Sequence, residues 1–385
     1  MKILLIDPVG AGHHQEYAVL LAGGLTELGL KIYFAGSLPL LNALASTSLI
    51  QDGIPLDEIK VGGNFFNNER MRVHYYQRSI AASRKFNVDI CHFLYMDHLL
   101  ISGSYSWILQ SNLPSVCGTL HGVYFLPTYA VSNAHKYKGK ADLMALRFLC
   151  SRGMRIMVHS KNLAIYLNEL TGTQKVDYVP YPVKTYEQPD SKKGAMRARL
   201  RGELGLAPQA VLILVFGGTR YDKGADLAVK MLPYLPDHYH LLFAGKDTYF
   251  SRNYLTGLAS KHGLLERLHF DSRFIPEEEV PALFSGCDIV LLPYRKNFSG
   301  QSGPLTVAAA LGTKIVAPDL PVLAETISND NLGWLYPVED LERMAAAVLE
   351  AANAPALKSP QKFIDDHSAL AFSKAVASSY SNWNL

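Results

Sequence analysis

Short apolar runs alternate with longer amphipathic segments along most of the chain. The runs of the first half that predict strands lie at residues 2–6, 30–35, 89–94, 114–121 and 155–160. Residues 14–28 have the apolar spacing of a helix that ends at Gly29. Because strands that alternate with helices build a parallel sheet covered on both faces, the first half is predicted to be a doubly wound α/β domain.

A second series of the same kind begins near Ala210. Val211–Phe216 is an unbroken apolar run with β-branched residues, as expected of a strand that is buried on both faces. The polar stretch from Lys184 to Gly194 separates the two series and is typical of a linker. The domains expected from these patterns are an N-terminal domain at residues 1–185, a linker at 186–205, a C-terminal domain at 206–362 and a terminal helix at 363–385.

Composition agrees with two globular domains. The chain has 385 residues, of which 49% are apolar and 18% charged, as in proteins with a large core. Its opening apolar run is too short for a signal peptide, and no apolar stretch approaches the ~20 residues that span a bilayer. The four cysteines are scattered, which indicates free thiols in a reducing compartment. A cytoplasmic protein is therefore expected.

Two glycine-rich loops follow predicted strands of the second half, and each opens a helix. They lie at residues 217–224 (G-G-T-R-Y-D-K-G) and 299–305 (S-G-Q-S-G-P-L). The N–H groups of such loops and the dipole of the helix attract anions. Arg220 and Lys223 stand at the entrance of the first helix, where two cations suit a diphosphate. Each loop alone is also compatible with an ordinary strand–helix connection that carries solvated cations.

The loop after the first predicted strand contains Gly12, His13 and His14. The two histidines are expected to donate hydrogen bonds to a ligand, to cap the helix or to face solvent. Gly10 and Gly12 match the start of a dinucleotide fingerprint, but Gln15 stands at its third glycine position and no acidic residue ends the second strand. This partial match argues against a nicotinamide site.

His121 ends the predicted strand at residues 114–121, and His159 ends the next one. Open α/β sheets bind ligands at the carboxyl ends of their strands, so His121 is a candidate site residue, with a core histidine as the alternative. The sequence has no D-x-D, H-E-x-x-H or Cys-x-x-Cys motif, and no metal or cofactor is expected.

Charge is uneven along the chain. Residues 1–186 carry 17 Lys and Arg against 12 Asp and Glu, concentrated between Arg70 and Lys85 and between Lys136 and Arg155. Basic, partly amphipathic segments suit the inner face of a membrane or a lipid diphosphate, although a solvated helix face explains them equally well. The excess is small and no recognition module is present, so nucleic acid is not an expected partner.

The order of motifs in the second half resembles the nucleotide-sugar domain of GT-B glycosyltransferases, in particular the retaining glycosyltransferase family four (group 1). The matching segments are G-G-T-R-Y-D-K-G, L-L-F-A-G-K, L-H-F-D-S-R-F-I-P-E-E-E-V, C-D-I-V-L-L-P-Y and S-G-Q-S-G-P-L-T-V-A-A-A-L-G. They cover residues 210–350. The resemblance implies two Rossmann-like domains that face a cleft, an acceptor on the first, a nucleotide sugar on the second, and a terminal helix that crosses back to the first.

The resemblance also implies an activity and roles for single residues. It implies transfer of a sugar from a UDP- or GDP-linked donor to a glycan or lipid-linked saccharide, with retention and without a metal. Catalytic roles fall on His121, Arg220 and Lys223, and acceptor-side roles on Gly12, His13 and His14. The implied donor contacts are Gly218, Thr219, Gly245, Lys246, Arg273, Phe274, Ile275, Ser299, Gln301, Ser302, Gly303, Pro304 and Leu305.

One departure from the family pattern bears on catalysis. Family members usually carry two glutamates eight positions apart around the last loop, and Ser299 and Val307 stand there in this chain. The arginine usual five residues before the loop lysine is replaced by Gly218. Either a variant set of contacts holds the donor, or the chain is a non-catalytic relative that binds a sugar nucleotide or a partner enzyme. A sugar-nucleotide epimerase is a third interpretation, for which no convincing pair of carboxylates is present.

Overall fold

The computed structural model describes residues 1–7, 14–59, 65–109, 115–122, 133–184, 186, 191–355, 357 and 361–382. The chain forms two compact units. The first consists of Met1–Pro182 and Asp366–Leu385, and the second of Val183–Asp365. Each unit is built around one parallel sheet with helices, so the predicted fold class is confirmed.

The first unit contains a parallel sheet of seven described strands. They are β1 (Lys2–Asp7), β2 (Lys31–Gly36), β3 (Asp52–Pro55), β4 (Ile90–Phe93), β5 (Ser115–Leu120), β6 (Arg155–Val158) and β7 (Val176–Tyr178). The helices are α1 (His14–Glu27), α2 (Leu38–Ser46), α3 (Phe65–Phe86), α4 (Leu100–Leu109), α5 (Asn133–Ser151) and α6 (Lys161–Thr171). The strand order is β3-β2-β1-β4-β5-β6-β7, so the direction of winding reverses between β1 and β4.

The terminal helix of the described chain belongs to the first unit. The chain after the second unit forms α15 (Ala369–Ser381), which packs against α1 and buries Phe372, Val376 and Tyr380 in the core of the first sheet. The Tyr380 hydroxyl lies 2.7 Å from Nδ1 of His92, whose Nε2 lies 2.8 Å from the Thr119 hydroxyl. Polar groups of β4, β5 and α15 are therefore joined inside the core.

The second unit repeats this architecture with six described parallel strands. They are β8 (Val211–Phe216), β9 (Tyr239–Ala244), β10 (Leu268–Asp271), β11 (Ile289–Leu291), β12 (Lys314–Pro318) and β13 (Gly333–Tyr336). The helices are α7 (Ser191–Glu203), α8 (Ala225–Met231), α9 (Arg252–Ser260), α10 (Val280–Gly286), α11 (Gly303–Ala310), α12 (Pro321–Asp330), α13 (Leu341–Asn353) and α14 (Gln361–Asp366). The order β10-β9-β8-β11-β12-β13 reverses between β8 and β11.

Part of the segment predicted to be a linker, residues 186–205, is helical. The helix α7 packs against α10 within the second unit. Arg201 is buried there, donates to the carbonyls of Ala210 at 3.0 Å and Gly286 at 3.1 Å, and forms an ion pair with Asp288. Arg201 of this polar helix is therefore a cation with partners inside the second unit.

In the described ranges no helix combines the length and the apolarity needed to cross a membrane.

Candidate functional site

The first glycine loop follows β8 at the point where the second sheet reverses its winding. Gly217 has a φ of 101° and donates its N–H to the Ala244 carbonyl at 2.8 Å. Gly245, with a φ of 143°, lies so close that a Cβ on it would stand 2.4 Å from the Gly217 carbonyl oxygen. Gly245 accepts no side chain because the Gly217 backbone occupies the space, and the positive φ of Gly217 favours glycine there.

Thr219 stabilises this loop from within. Its hydroxyl donates to the Phe250 carbonyl at 2.6 Å and accepts the Thr248 N–H at 2.9 Å, and its side chain is buried. Gly218, its neighbour, is partly exposed. The Thr219 hydroxyl is thus fully engaged within the loop. Gly218 can offer a ligand only its backbone groups.

The first loop packs against the end of β11. A Cβ on Gly224, whose φ is 61°, would stand 1.9 Å from the Pro293 carbonyl oxygen. The buried guanidinium of Arg295 donates to the Tyr221 carbonyl at 3.0 Å and to Asp226 at 2.6 Å. These contacts hold the turn Tyr221–Lys223 beside the carboxyl ends of the two central strands, where open α/β sheets bind ligands.

Lys223 and Arg220 differ in environment. The Lys223 ammonium lies 5.9 Å from the centre of the Tyr294 ring, and a Cβ on Gly217 would stand 2.9 Å from its Nζ. Burial, and next the charge of Arg220, lower the pKa of Lys223 to about 8. Arg220 is exposed and pairs with Asp222, with Nε and Oδ1 2.9 Å apart. Lys223 is therefore the cation held at the sheet edge, and Arg220 stands in solvent.

The second glycine loop begins α11 with a serine cap. The Ser302 hydroxyl accepts the Leu305 N–H at 3.3 Å and lies 3.0 Å from the hydroxyl of buried Tyr294. Pro304 and Leu305 have buried side chains, and the Leu305 N–H is engaged by the cap. Gly303 is exposed, and a Cβ there would meet nothing within 4 Å. The accessible part of this helix entrance is therefore Gly303.

Among the remaining predicted donor contacts, Phe274 is exposed beside Lys246, and Arg273 is held by two carboxylates. Phe274 is 70% exposed, and the Lys246 ammonium lies 5.5 Å from its ring centre. Arg273 is engaged by Asp271 at 2.8 Å and by Glu279, and this pairing lowers the pKa of Glu279.

Among the last predicted contacts, the apolar side chain is buried and the polar side chains are partly exposed. The Ile275 side chain is part of the core, which leaves only its backbone to a ligand. Ser299 and Gln301 are partly exposed, whereas Val307 packs against the core of the second unit.

In the first unit, aromatic rings fill the carboxyl ends of β1, β4 and β5. His14 is buried, lies 3.0 Å from the Asp7 carboxylate and stacks on Tyr95 with ring centres 3.5 Å apart. His121 stacks on Tyr95 at 3.8 Å, and its Nε2 lies 2.9 Å from the Leu94 carbonyl oxygen. Of the three alternatives for His14, exposure to solvent is excluded, because its ring packs in this stack. Gly12 and His13 lie outside the described residues.

Asp97 and His159 complete this edge. Asp97 accepts the N–H groups of His121 at 3.1 Å and Gly122 at 2.7 Å, and burial raises its pKa to about 6. Burial lowers the pKa of His159 to about 4; its Nδ1 donates to the Val179 carbonyl at 3.0 Å. Sequence reasoning missed Asp97, although an acidic residue soon after a buried strand is a usable signal.

Several cations of the basic segments are internal. Arg72 is buried and pairs with Glu69, and Arg155 is buried and pairs with Asp177 at 2.7 Å. The exposure expected for a membrane-facing or solvated surface therefore does not apply to these two. Among the described side chains, no three His, Cys, Asp or Glu residues come together in a group that could hold a metal ion.

Comparisons with known sequences cover part of the chain. Residues 210–354 match the family model described as Glycosyl transferases group 1. The chain is 27% identical over 199 residues to 2-deoxystreptamine glucosyltransferase of Streptomyces kanamyceticus, covering 49% of this chain and 48% of that protein. It is 29% identical over 147 residues to glycogen synthase of Mycobacterium tuberculosis, covering 37% and 34%. The chain thus spans less than half the length of these curated relatives.

Comparisons with solved structures cover nearly the whole chain. Sucrose-phosphate synthase from Thermosynechococcus elongatus has a TM-score of 0.76 at 19% identity, covering 99% of this chain and 98% of that one. Anabaena HepE in complex with UDP has a TM-score of 0.72 at 14% identity, covering 99% and 100%. At such identities the likeness shows the fold. The chain therefore has the GT-B fold, and its residues 210–354 match the model of the glycosyl transferases group 1 domain.

Proposed function

We propose that the protein is a glycosyltransferase that moves a sugar from a UDP- or GDP-linked donor to a glycan or lipid-linked saccharide. The observation that carries this proposal is the Lys223 ammonium held over Gly217 at the winding reversal of the group 1 domain. Relatives support it, since one curated match is named a glucosyltransferase and HepE was solved with UDP and with UDP-glucose.

In this proposal the donor diphosphate lies against the backbone of Gly217, Gly218 and Gly303. The absence of side chains there allows close approach, and the entrance of α11 contributes its dipole. Lys223 neutralises the charge that develops on the leaving diphosphate, in a partly desolvated position where a cation is most effective. Arg220 has a smaller role, because Asp222 already pairs with it.

The proposed transfer needs no metal and retains the anomeric configuration. Lys223, Arg220 and the entrance of α11 supply the positive charge that a metal ion would supply in a metal-dependent transfer. The leaving phosphate oxygen accepts the proton of the acceptor hydroxyl on the face that the acceptor attacks. The family resemblance supports this step, and His121 contacts the donor sugar in the same scheme.

Calorimetric titration of UDP and GDP tests the diphosphate site. Lys223→Ala should weaken binding by about 1.5–3 kcal/mol, the range for hydrogen bonds to charged groups, and Arg220→Ala by less. Lys261→Ala, which removes an exposed lysine at the end of α9, is the matched control and should bind as the parent does. Unchanged affinity in the Arg220→Ala, Lys223→Ala double variant contradicts the assignment.

A second candidate is a non-catalytic GT-B relative that binds a sugar nucleotide. Ser299 and Val307 stand at the positions of the usual glutamates and favour it, since the Val307 side chain cannot accept hydrogen bonds from ribose hydroxyls. Release of UDP from UDP-sugars separates the candidates: an enzyme releases UDP and loses that activity in Lys223→Ala, whereas a binding protein leaves the nucleotide sugar intact. Val307→Glu should keep donor binding and tighten it by about tenfold at most, because the gain of a hydrogen bond to a carboxylate is offset by the loss of Val307 packing.

A further inference from the structure

Arg295 is a buried cation that stands between the two glycine loops of the second unit. It follows β11 and is only 8% exposed. Its Nε donates to the Tyr221 carbonyl at 3.0 Å, its Nη2 to the Asp226 carboxylate at 2.6 Å, and its backbone N–H to the Asp222 carbonyl at 2.9 Å. Arg295 therefore holds the turn Tyr221–Lys223 by two of its carbonyls, and it holds α8 by its first turn.

The ring of Tyr221 packs on the guanidinium of Arg295. The guanidinium carbon lies 4.4 Å from the ring centre, which is within the range of a cation–π interaction. Tyr221 is itself 45% exposed, and its ring meets that of Tyr249 edge to face at 5.3 Å. The turn is thus anchored on one arginine through its backbone and through a side chain.

The charge of Arg295 is neutralised inside the protein. Asp226 is 2% exposed, and besides Arg295 it binds the Lys230 ammonium at 2.9 Å on the next turn of α8. A planar guanidinium serves a carboxylate and a carbonyl at once, which the single ammonium of a lysine cannot do in the same geometry. Arg295 is therefore suited to fixing a loop, whereas Lys223 is the cation that is held at the sheet edge.

The neighbours of Arg295 reach the second glycine loop. The Arg295 carbonyl accepts the Phe298 N–H at 2.9 Å, and the Phe298 ring lies 4.2 Å from that of Tyr294. The Tyr294 hydroxyl lies 3.0 Å from that of Ser302, which caps α11, and the Tyr294 ring lies 5.9 Å from the Lys223 ammonium. A continuous set of contacts therefore runs from the first loop through Arg295 and Tyr294 to the entrance of α11.

Lys223 ends the turn that Arg295 holds. The charged and aromatic groups that face it are Arg220, Asp222 and the Tyr294 ring. Burial is the main cause that lowers the pKa of Lys223 to about 8, followed by the charge of Arg220, whereas Asp222 opposes this shift. A lysine on an unanchored turn extends its flexible stem into water, where its pKa is about 10.4. The pKa of Lys223 thus reports whether the turn is held.

We propose that Arg295 is a positioning residue of the candidate donor site, which keeps the Lys223 ammonium beside Gly217 by fixing the turn Tyr221–Lys223. Its effect on donor binding rests on the proposed function; its effect on the position of Lys223 does not. Because Arg295 also contacts the segment that leads to α11, it fixes the distance between Lys223 and that helix entrance.

Three variants of the second unit test this role. Arg295→Met removes the anchor but leaves Asp226 as a buried carboxylate, which puts the fold at risk. The double variant Asp226→Leu, Arg295→Met also lacks the anchor, but it replaces the pair by apolar side chains, a change that buried ion pairs often tolerate. Arg267→Met is the matched control. Arg267 is 7% exposed and donates to the Tyr239 and Pro236 carbonyls, both at 2.9 Å, at the amino end of β9.

The first measurement is the pKa of Lys223. It is obtained by NMR titration of protein labelled isotopically at the lysine Cε atoms, and the Lys223 signal is identified by its loss in Lys223→Arg. We expect the pKa to rise from about 8 in the parent towards about 10.4 in both Arg295 variants, and to stay at about 8 in Arg267→Met. Urea unfolding of the same proteins shows how much stability each variant has lost.

The second measurement is the affinity for UDP-glucose between pH 7 and pH 9. At pH 7 it should be at least about tenfold weaker in the Arg295 variants than in the parent, because the ammonium no longer meets the diphosphate. It should then change less than about twofold up to pH 9, because Lys223 stays charged. Arg267→Met should bind as the parent does. General destabilisation lowers the fraction of competent protein, but it does not move the midpoint of this pH profile.

Two results would overturn the inference: a Lys223 pKa of about 8 in the double variant, or an equal loss of affinity in Arg267→Met. The double variant decides if Arg295→Met does not fold. Failure of the proposed function gives a different pattern. If the parent does not bind UDP-glucose while the pKa of Lys223 rises in the Arg295 variants, the positioning role stands and the donor site falls. If binding depends on Lys223 while its pKa does not respond to Arg295, the donor site stands and the positioning role falls.

Discussion

The two sheets reverse their winding in the same way, yet the carboxyl edges at the two reversals are filled differently. In the first unit, the rings of His14, Tyr95 and His121 stack with centres 3.5 and 3.8 Å apart. In the second, the backbones of Gly217 and Gly245 are in contact, and the Lys223 ammonium lies beside Gly217. The topology provides a place for a ligand, and side-chain size decides how much of that place the protein itself fills.

The electrostatics of the two edges differ as well. Burial lowers the pKa of His159 to about 4 and that of Lys223 to about 8. At pH 7 the histidine is therefore neutral and the lysine is mainly charged, although the physical cause is the same. The first edge is thus suited to hydrogen bonding and packing, and the second to anions.

The largest expected effect tests whether glycine is required at the second edge. Gly224→Ala should reduce the free energy of unfolding by about 3 kcal/mol or more, because a positive φ and a clash with the Pro293 carbonyl add together. Gly263→Ala is the matched control: its φ is +68°, but nothing lies within 4 Å of the added carbon, so about 1 kcal/mol is expected. Equal losses in urea unfolding of the two variants would contradict the packing argument.

At the first edge, His121→Ala tests whether the ring stack serves chemistry. Loss of stacking on Tyr95 should cost about 1 kcal/mol of stability. Turnover should fall about a hundredfold, as when one group that stabilises a transition state is removed, with little change in UDP affinity. Melting temperature and kcat are measured on the same preparations. A large drop in melting temperature with unchanged kcat would identify a core histidine.

Acid should weaken the first unit through His159. Its folded pKa of about 4 lies below the unfolded value of 6.5, so stability is present above pH 6.5 and is lost as the pH falls towards 4. The slope is at most about 1.4 kcal/mol per pH unit for this group. His159→Gln should flatten the fall in stability over this window. An identical pH profile in parent and variant would exclude His159 as a source.

The smallest effect concerns the charge of Lys223. Because its pKa is about 8, the charged fraction falls as the pH rises from 7 to 9, and affinity for UDP-glucose should fall about tenfold. Lys223→Arg keeps its charge and should bind with constant affinity across this range. A parallel decline in the two proteins would mean that another group controls binding.

The apolar runs of the sequence predicted most strands of the fold. The charged residues of the sequence predicted only part of the candidate site. Val211–Phe216 has the predicted bounds because an unbroken apolar run suits only a strand buried on both faces. The helix α7 was missed because the partners of its buried Arg201 are distant in sequence. The Gly286 carbonyl, which accepts a hydrogen bond, and the Asp288 carboxylate lie 85 and 87 residues away. The pairing of Arg220 with Asp222 is readable from adjacent residues, whereas the side chains that fill the first edge meet only after folding.

The position of α15 on α1 has a consequence for synthesis. The Ser373 hydroxyl lies 3.5 Å from the Leu21 carbonyl oxygen, 352 residues earlier in the chain. At about 5–20 residues per second, α1 leaves the ribosome roughly 20–70 s before the helix that covers it. The intervening unit has its own sheet and core, so it can complete its fold during that delay. α1 is therefore made before the second unit and covered after it, and the apolar face that packs under α15 is exposed in the meantime.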